Sequence, residues 1–194
     1  MLSWDEIGVL VHTGELQLLL RTPAVTDQYR RYKLSLADRG LTVVEAVVLE
    51  KLHWDSVSLS QLAQHWPTAS LQLQAMLSRR ELFKLLKNDF PYDFPASVHH
   101  LVLWSKVRIP LYVDGGGSGG GSSSCEKVRP VEAKIQRFLD VNLARHNVHD
   151  FVWFVNYPHL QSVTAVSHIH VLVNTSRPHR IAQILKQGFQ PIEN

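Results

Sequence analysis

The chain has 194 residues, 45% of them hydrophobic, which is enough for the core of one domain or of a small pair of domains. Its 20 basic and 17 acidic residues give a formal net charge of +3, too small and too evenly spread to indicate a nucleic-acid or membrane partner. The single cysteine, Cys125, excludes an internal disulfide and a thiolate metal cluster, and no signal peptide is visible, so we expect a cytoplasmic protein, with a nuclear location left open.

The first half of the chain reads as short helices, because capping-box spacing recurs in it. The pairs with this spacing are Ser3 with Glu6, Thr42 with Glu45, and Ser58 with Gln61. Between the first two pairs, Tyr29, Tyr32 and Leu36 follow one another at helical spacing, and Gly40 can end that helix. A further helix is predicted over about residues 70–87, with its basic residues on a solvated face.

The second half changes to the pattern of strands after the two prolines of "NDFPYDFPAS". Runs of β-branched and aromatic residues predict strands in "VHHLVLWSKV" (98–107), "DFVWFVNYP" (150–158) and "SHIHVLVN" (167–174). Helices are predicted in residues 130–146 and 177–189. We therefore expect an α+β fold, in which a helical N-terminal half packs on a small, mainly antiparallel sheet with two helices from the C-terminal half.

The same change of pattern divides the chain into a helical N-terminal region, residues 1–87, and an α+β domain, residues 88–194. The segment "GGGSGGGSSS" (115–124) has the composition of a flexible linker and interrupts the second region. We interpret it as an engineered replacement of a longer loop, with a native low-complexity insert as the alternative. The uncharged stretch 151–176 is too polar inside for a membrane helix and fits strands and turns.

Histidines concentrate in the second half, which holds eight of the eleven. Side chains alternate faces along a strand, so His168 and His170 share one face, roughly 7 Å apart. By the same rule His100 and Trp104 share a face of the earlier strand, with Lys106 just past it. Aligned faces would bring three histidines and a lysine together, as donors for an anion or nitrogen ligands for a metal. A set of core histidines hydrogen bonded to their neighbours is the alternative.

The connection into the histidine strand contains Asn156 and Ser162, whose amide and hydroxyl could orient ligand oxygens. Both residue types are also ordinary in turns next to proline, so this assignment keeps a structural alternative.

Residues 88–106 and 152–174 resemble the two signature blocks of the fungal N-acetylglucosamine-induced protein 1 family, a domain of unknown function. The segments "YRRYKLSLADRG" (29–40) and "LEKLHW" (49–54) fit the same family, so the resemblance spans nearly the whole chain outside the linker. Two residues depart from the family pattern: Phe90 replaces a tryptophan, and Ser167 replaces an acidic residue before the first histidine.

A more distant resemblance concerns "QSV" (161–163) and "HIHVL" (168–172), which are similar to the strand motif of histidine-triad hydrolases and transferases. It implies that His170 or His168 is the nucleophile for a nucleotidyl or phosphoryl group and that Ser162 assists the leaving group. It also implies that His100 and Asn156 hold the substrate. A third alternate histidine is missing, because Val166 and Leu172 occupy the neighbouring places on that face.

These patterns predict the binding of an anionic small ligand, a nucleotide or sugar nucleotide, in a histidine-lined pocket. The predicted catalytic residues are His170, His168 and Ser162, and the predicted ligand-binding residues are His100, Lys106, Asn156 and Trp104. Whether phosphate-ester hydrolase or transferase chemistry follows is left open. The alternative is a non-enzymatic adaptor whose N-terminal helices bind a protein partner. Metal binding by the three histidines lacks a further ligand, so neither a metal nor a cofactor is expected.

Overall fold

A four-stranded sheet with the order β1-β2-β4-β3 forms the centre of the structure, and every neighbouring pair of strands is antiparallel. The computed structural model describes residues 1–113 and 126–192, without the side chains of Ser56 and Ser58. The predicted linker at 115–124 therefore lies outside the described residues. The strands are β1 Phe83–Lys87, β2 Val98–Ser105, β3 Phe151–Phe154 and β4 Ser167–Asn174.

Seven helices surround this sheet in the described part of the chain, which confirms the predicted α+β fold. They are α1 Trp4–Thr13, α2 Pro23–Asp38, α3 Val43–Glu45, α4 Ser56–His65, α5 Ala69–Ala75, α6 Arg129–Ala144 and α7 Pro178–Gln187. Helix α3 continues directly as a π-helix, Ala46–Leu52, which ends at His53 in the left-handed conformation. None of the described helices is long and apolar enough to cross a membrane.

One face of the sheet packs against α6 and α7 and forms the main hydrophobic core. Ile169, Val171 and Val173 of β4 point to this side, where they are fully buried. Phe138 of α6 and Phe189 after α7 are in edge-on contact, with ring centroids 5.6 Å apart. This core fixes the positions of β2 and β4, and therefore of the residues on their opposite face.

The opposite face of the sheet is covered by the N-terminal half in two separate hydrophobic clusters. In the first cluster, Ile7 of α1 and Leu19 pack with Phe154 of β3 and Leu172 of β4. The second cluster places the π-helix and Trp54 against residues of the connection between β3 and β4. The predicted histidines lie between these two clusters.

Two of the three predicted capping boxes are confirmed. The side chains of Ser3 and Thr42 accept the backbone N–H of Glu6 and Glu45, and each glutamate caps in return. The third is wrong, because α4 begins at Ser56 and residue 58 lies inside its first turn. The Asp55 carboxylate instead accepts the N–H of Val57, at 3.2 Å.

The predicted helix over residues 70–87 is wrong beyond Ala75. Leu77 has a positive φ of 61°, and after a short 3-10 turn the chain enters β1. Within this strand, Phe83 and Leu85 point into the main core, with the period of two that a strand requires. The sequence of β1 is short and rich in leucine, so its apolar pattern is compatible with a helix as well as with a strand. Pairing with β2 stabilises the strand.

Candidate functional site

The register of β2 and β4 brings the predicted histidines to one face of the sheet. Val102 pairs with His170, and Trp104 pairs with His168. His100 is two residues before Val102, on the same face of β2, and pairs with Leu172. The face predicted from strand alternation is therefore the face that the structure shows, and it lies on the side of the N-terminal helices.

His100 and His170 are joined by a direct hydrogen bond, with 2.9 Å between His100 Nε2 and His170 Nδ1. The Asn156 amide nitrogen donates to His170 Nε2 at 3.2 Å and to the Tyr92 hydroxyl at 3.1 Å. Both ring nitrogens of His170 are therefore engaged, Nδ1 with His100 and Nε2 with Asn156.

His168 is fixed by the main chain of its own strand. Its Nδ1 donates to the carbonyl oxygen of Val166 at 2.9 Å, and its ring lies over Trp104 with centroids 4.7 Å apart. The proton of a neutral His168 is therefore on Nδ1, which leaves a lone pair on Nε2. No hydrogen bond within the described residues engages this lone pair.

Burial keeps all three imidazoles neutral. It lowers the pKa of His100 to about 3, with Arg21 adding to the effect. It lowers the pKa of His170 well below its usual value, with further contributions from His100, His168 and Arg21. The pKa of His168 is also lowered by burial, partly offset by its hydrogen bond to Val166. The cluster therefore supplies lone pairs at neutral pH, while positive charge must come from other residues.

A cavity of about 120 Å³ opens over this face, and the atom-free space reaches about 790 Å³ when its mouth is included. Its walls come from the sheet, from α2, from the π-helix and from the segment after β1. The lining residues are Arg21, Tyr29, Tyr32, Val43, Val47, Lys51, Leu86, Lys87, Asn88, Asp89, Phe90, Tyr92, Val102, Trp104, Asn156, Leu160, Ser162, Val163, His168 and His170. We call this space the histidine cavity.

The positive charge of Arg21 lowers the pKa of both His100 and His170. Its guanidinium carbon lies 4.9 Å from the centroid of the Tyr29 ring and 5.5 Å from that of Tyr92. Its Nε donates to the Phe90 carbonyl at 3.0 Å. Its two terminal nitrogens have no partner in the part of the chain that the structure describes and remain available for an anion.

Two further cations line the cavity, Lys51 and Lys87, and the first of them forms an ion pair. Lys51 forms an ion pair with Asp89 and lies 5.4 Å from the centroid of the Tyr32 ring. Burial lowers the pKa of Lys51. Lys87 is exposed at the end of β1 and lines the same cavity. The cavity thus combines neutral imidazoles with cationic and aromatic walls.

A second, larger cavity of about 460 Å³ lies on the other side of His168. It is lined by residues of α4 and by the segments 105–112 and 164–168. His168 is the one residue that borders both cavities among the lining residues described.

The predicted site residues fall into three groups in the structure. His168, His170, Asn156, Ser162 and Trp104 line the histidine cavity. His100 contributes from behind, buried against His170 and the rings of Tyr92 and Phe94. The third group is Lys106 alone.

Lys106 does not line the histidine cavity, so the expected convergence of three histidines and a lysine holds for the histidines only. Strand β2 ends at Ser105, where the hydroxyl hydrogen bonds with the backbone of Val107, and the alternation of faces stops there. Lys106 lies over the Trp54 ring, at 5.2 Å, and borders the second cavity. A ligand contact of Lys106 stays a prediction.

The sequence reasoning missed the wall that faces the histidines. Asn88, Phe90 and Tyr92 belong to the "NDFPY" motif, so the family resemblance already pointed to that segment. Arg21 and Lys51 come from segments far away in sequence, and no local motif marks them. Among the described residues, no group of three or more His, Cys, Asp or Glu side chains is arranged to hold a metal ion.

Comparison with known proteins places the chain among uncharacterized fungal relatives. A family model described as "Protein of unknown function (DUF3605)" matches residues 3–174. The uncharacterized protein YPL067C of Saccharomyces cerevisiae is 34% identical over 205 residues, which cover 98% of this chain and 91% of that protein. N-acetylglucosamine-induced protein 1 of Candida albicans is 27% identical over 194 residues, which cover 96% of this chain and 73% of that protein.

The fold also has a similar solved structure. The crystal structure of HTC1 superposes with a TM-score of 0.74 at 30% sequence identity, and the match covers 100% of both chains. Because the family model spans residues 3–174, which include both signature blocks quoted above, the chain belongs to this family of proteins of unknown function, together with N-acetylglucosamine-induced protein 1.

Proposed function

We propose that the chain binds a phosphate-bearing small ligand, a nucleotide or sugar nucleotide, in the histidine cavity. The observation that carries the proposal is the position of Arg21. Its unpaired guanidinium fork lines the same cavity as His168 and His170. A guanidinium fork matches phosphate oxygens bidentately, and the low dielectric of a buried site strengthens the contact.

The neutral histidines are better suited to act as nucleophiles at phosphorus than to neutralise the charge of the phosphate oxygens. A protonated imidazole could bind the anion directly, but burial disfavours that form for all three rings. A neutral ring offers a nucleophilic lone pair instead. Arg21 and Lys87 would then hold the phosphate oxygens while a histidine faces the phosphorus.

The free lone pair of His168 supports a phosphate-ester reaction and favours His168 over His170 as nucleophile. His170 Nε2 already accepts from Asn156, whereas His168 Nε2 has no such contact within the described residues. In the proposed step, His168 Nε2 forms a bond to phosphorus and the ester P–O bond breaks. The leaving oxygen takes a proton from a water molecule that is hydrogen bonded to Ser162. The hydroxide left behind attacks phosphorus, which breaks the P–N bond and returns the lone pair to His168.

The test is a binding and turnover assay with nucleoside monophosphates, dinucleoside polyphosphates and UDP-glucose on the parent and three variants. We expect Arg21→Gln to weaken binding of every phosphate ligand, and His168→Asn to abolish turnover while binding persists. His179→Asn is the matched control, because His179 is exposed on α7, on the far side of the sheet. A parent that binds none of these ligands would refute the proposal, and a fully active His168→Asn would refute the assigned nucleophile.

A second candidate function, protein binding by the N-terminal half, is favoured by exposed apolar side chains there. Leu20 and Leu34 are 65% and 67% exposed, and Val57 is 60% exposed. Single exposed apolar residues are common on monomeric proteins, so this observation is weaker than the cavity. A partner that crosslinks to the parent and not to Leu20→Ser or Leu34→Ser would support this second candidate.

A further inference from the structure

The Tyr32 hydroxyl is a buried polar atom with no hydrogen-bond partner among the described residues. Its ring extends from α2 to the wall of the histidine cavity and packs against Phe90, with centroids 5.2 Å apart. A buried hydroxyl without an acceptor is unfavourable, and native structures contain few of them. Tyr32 is therefore positioned for an acceptor that the protein itself does not provide.

Two cations near Tyr32 are each paired with a carboxylate. Lys51 is paired with Asp89, and Arg39 is paired with Glu50. Arg21, at the histidine end, has no carboxylate partner in the described chain. The cavity therefore has one end that favours an anion and one that favours an uncharged group.

The walls at the uncharged end are aromatic. Phe90 lies between Tyr29 and Tyr32, at centroid distances of 5.0 and 5.2 Å. Burial, followed by the charge of Glu50, raises the pKa of Tyr32, so the hydroxyl stays protonated. A ligand therefore meets a neutral phenol, which can donate or accept a hydrogen bond. Flat rings that carry hydrogen-bond acceptors fit such an environment.

We infer that this end of the cavity is a nucleobase subsite, in which the Tyr32 hydroxyl donates to a ring acceptor and Phe90 packs against the base. The inference rests on the proposed function and adds an orientation to it. The phosphate lies at the end formed by Arg21 and the histidines, and the base lies at the end formed by Tyr32 and Phe90. Tyr32 acts as a specificity-determining residue and takes no part in the reaction at phosphorus.

The test compares ribose 5-phosphate with AMP, GMP, CMP and UMP by isothermal titration calorimetry. We expect the parent to prefer at least one nucleotide over ribose 5-phosphate. Tyr32→Phe, which removes one oxygen and keeps the ring, should reduce that preference about fivefold to tenfold, the usual loss for one hydrogen bond, without changing the affinity for ribose 5-phosphate. Arg21→Gln should weaken all five ligands by a similar factor.

Tyr157→Phe is the matched control, because its hydroxyl donates to the Gly14 carbonyl outside the histidine cavity. It should keep the nucleotide preference of the parent. An unchanged preference in Tyr32→Phe, or an equal loss for ribose 5-phosphate and nucleotides, would overturn the inference while the proposed function stands. So would a parent that binds all five ligands equally well. A parent that binds none of them would remove the proposed function and the inference together.

Discussion

The three buried histidines shape both the chemistry and the stability of the sheet face on which they lie. Each is less than one-tenth exposed, and each occupies a position where a strand in this place would ordinarily carry an aliphatic residue. Their hydrogen bonds to one another, to Asn156 and to the Val166 carbonyl offset the cost of burying polar rings. The same burial makes protonation unfavourable, which has a consequence for the pH dependence of folding.

Stability should decrease as pH falls because of His100. Its pKa is about 3 in the folded protein, against 6.5 for an unperturbed histidine, so the unfolded chain binds the proton first as pH falls. The stability present above pH 6.5 is therefore lost progressively below it, by about 3 kcal/mol at pH 4 if each pKa unit counts for about 1.4 kcal/mol. Urea unfolding of the parent and of His100→Gln at pH 7 to 4 measures this contribution.

The slope of unfolding free energy against pH should be shallower in His100→Gln than in the parent. His179→Gln, which changes an exposed histidine on α7, should keep the slope of the parent. Equal slopes in the parent and His100→Gln would show that His100 does not resist protonation in the folded state.

The unpaired hydroxyl of Tyr32 leads to a second prediction that needs no ligand. Tyr32→Phe should raise the free energy of unfolding by about 1 kcal/mol, because the variant buries no unsatisfied oxygen. Tyr112→Phe is the contrasting variant, since the Tyr112 hydroxyl donates to the Val155 carbonyl at 2.6 Å. It should lower the free energy by about 1 kcal/mol. A clear loss of stability in Tyr32→Phe would mean that its hydroxyl has a partner in solution.

The residues of the site were predictable where they follow strand alternation or lie in the loop that leads into the histidine strand, as Asn156 and Ser162 do. His168 and His170 repeat every second residue, and His100 and Trp104 do the same in β2, so pairing of the two strands brought them together. Lys106 lies one residue beyond the strand, where alternation no longer applies. Arg21 and Tyr32 reach the cavity through the packing of helices, which no local pattern in the sequence encodes.

At the scale of secondary-structure elements, cations complete the ends of several helices. Lys84 Nζ donates to the carbonyls of Lys51 and Leu52 at the end of the π-helix, both at 3.1 Å. Lys134 donates to the Leu73 and Gln74 carbonyls near the end of α5. Carbonyls at helix C-termini lack partners within the helix, and a cation also interacts favourably with the helix dipole. Both lysines therefore stabilise helix ends. For Lys84 this differs from the solvated basic face predicted for residues 70–87.

Removal of the Lys84 ammonium should loosen the π-helix that carries Val47 and Lys51 to the histidine cavity. We expect Lys84→Met to lower the free energy of unfolding by about 1 to 3 kcal/mol, because two charge-assisted hydrogen bonds are lost. Hydrogen exchange should increase in residues 46–52. Lys186→Met, at an exposed position of α7, should change neither quantity. Unchanged exchange in Lys84→Met would contradict a capping role.

The elements themselves were predictable to different degrees. Helices α6 and α7 and strands β2, β3 and β4 lie where the apolar periods predict them. Strand β1 was mistaken for the end of a helix, because residues 82–86 alternate too briefly for the two periods to be told apart. Only its pairing with β2, an interaction between distant segments, decides the outcome.

At the scale of the whole molecule, the histidine cavity is formed jointly by the helical half and the sheet. Arg21, Tyr32 and Lys51 come from the first half of the chain, while the histidines come from the second. The boundary predicted between residues 87 and 88 stays a prediction, but it separates two strands that are hydrogen bonded to each other. The N-terminal half thus completes the sheet as well as covering one of its faces.

This arrangement predicts that residues 88–192 do not fold alone. The fragment lacks β1 and exposes Phe154 and Leu172, which α1 and Leu19 cover in the intact chain. It also loses the hydrogen bond from Trp4 Nε1 to Asp150, at 2.8 Å. We expect no cooperative thermal transition by far-UV circular dichroism and strong binding of a hydrophobic dye. Coexpression with residues 1–87 is the control and should restore the transition, whereas a cooperative transition of the fragment alone would mean that the sheet and α6 and α7 suffice as a domain.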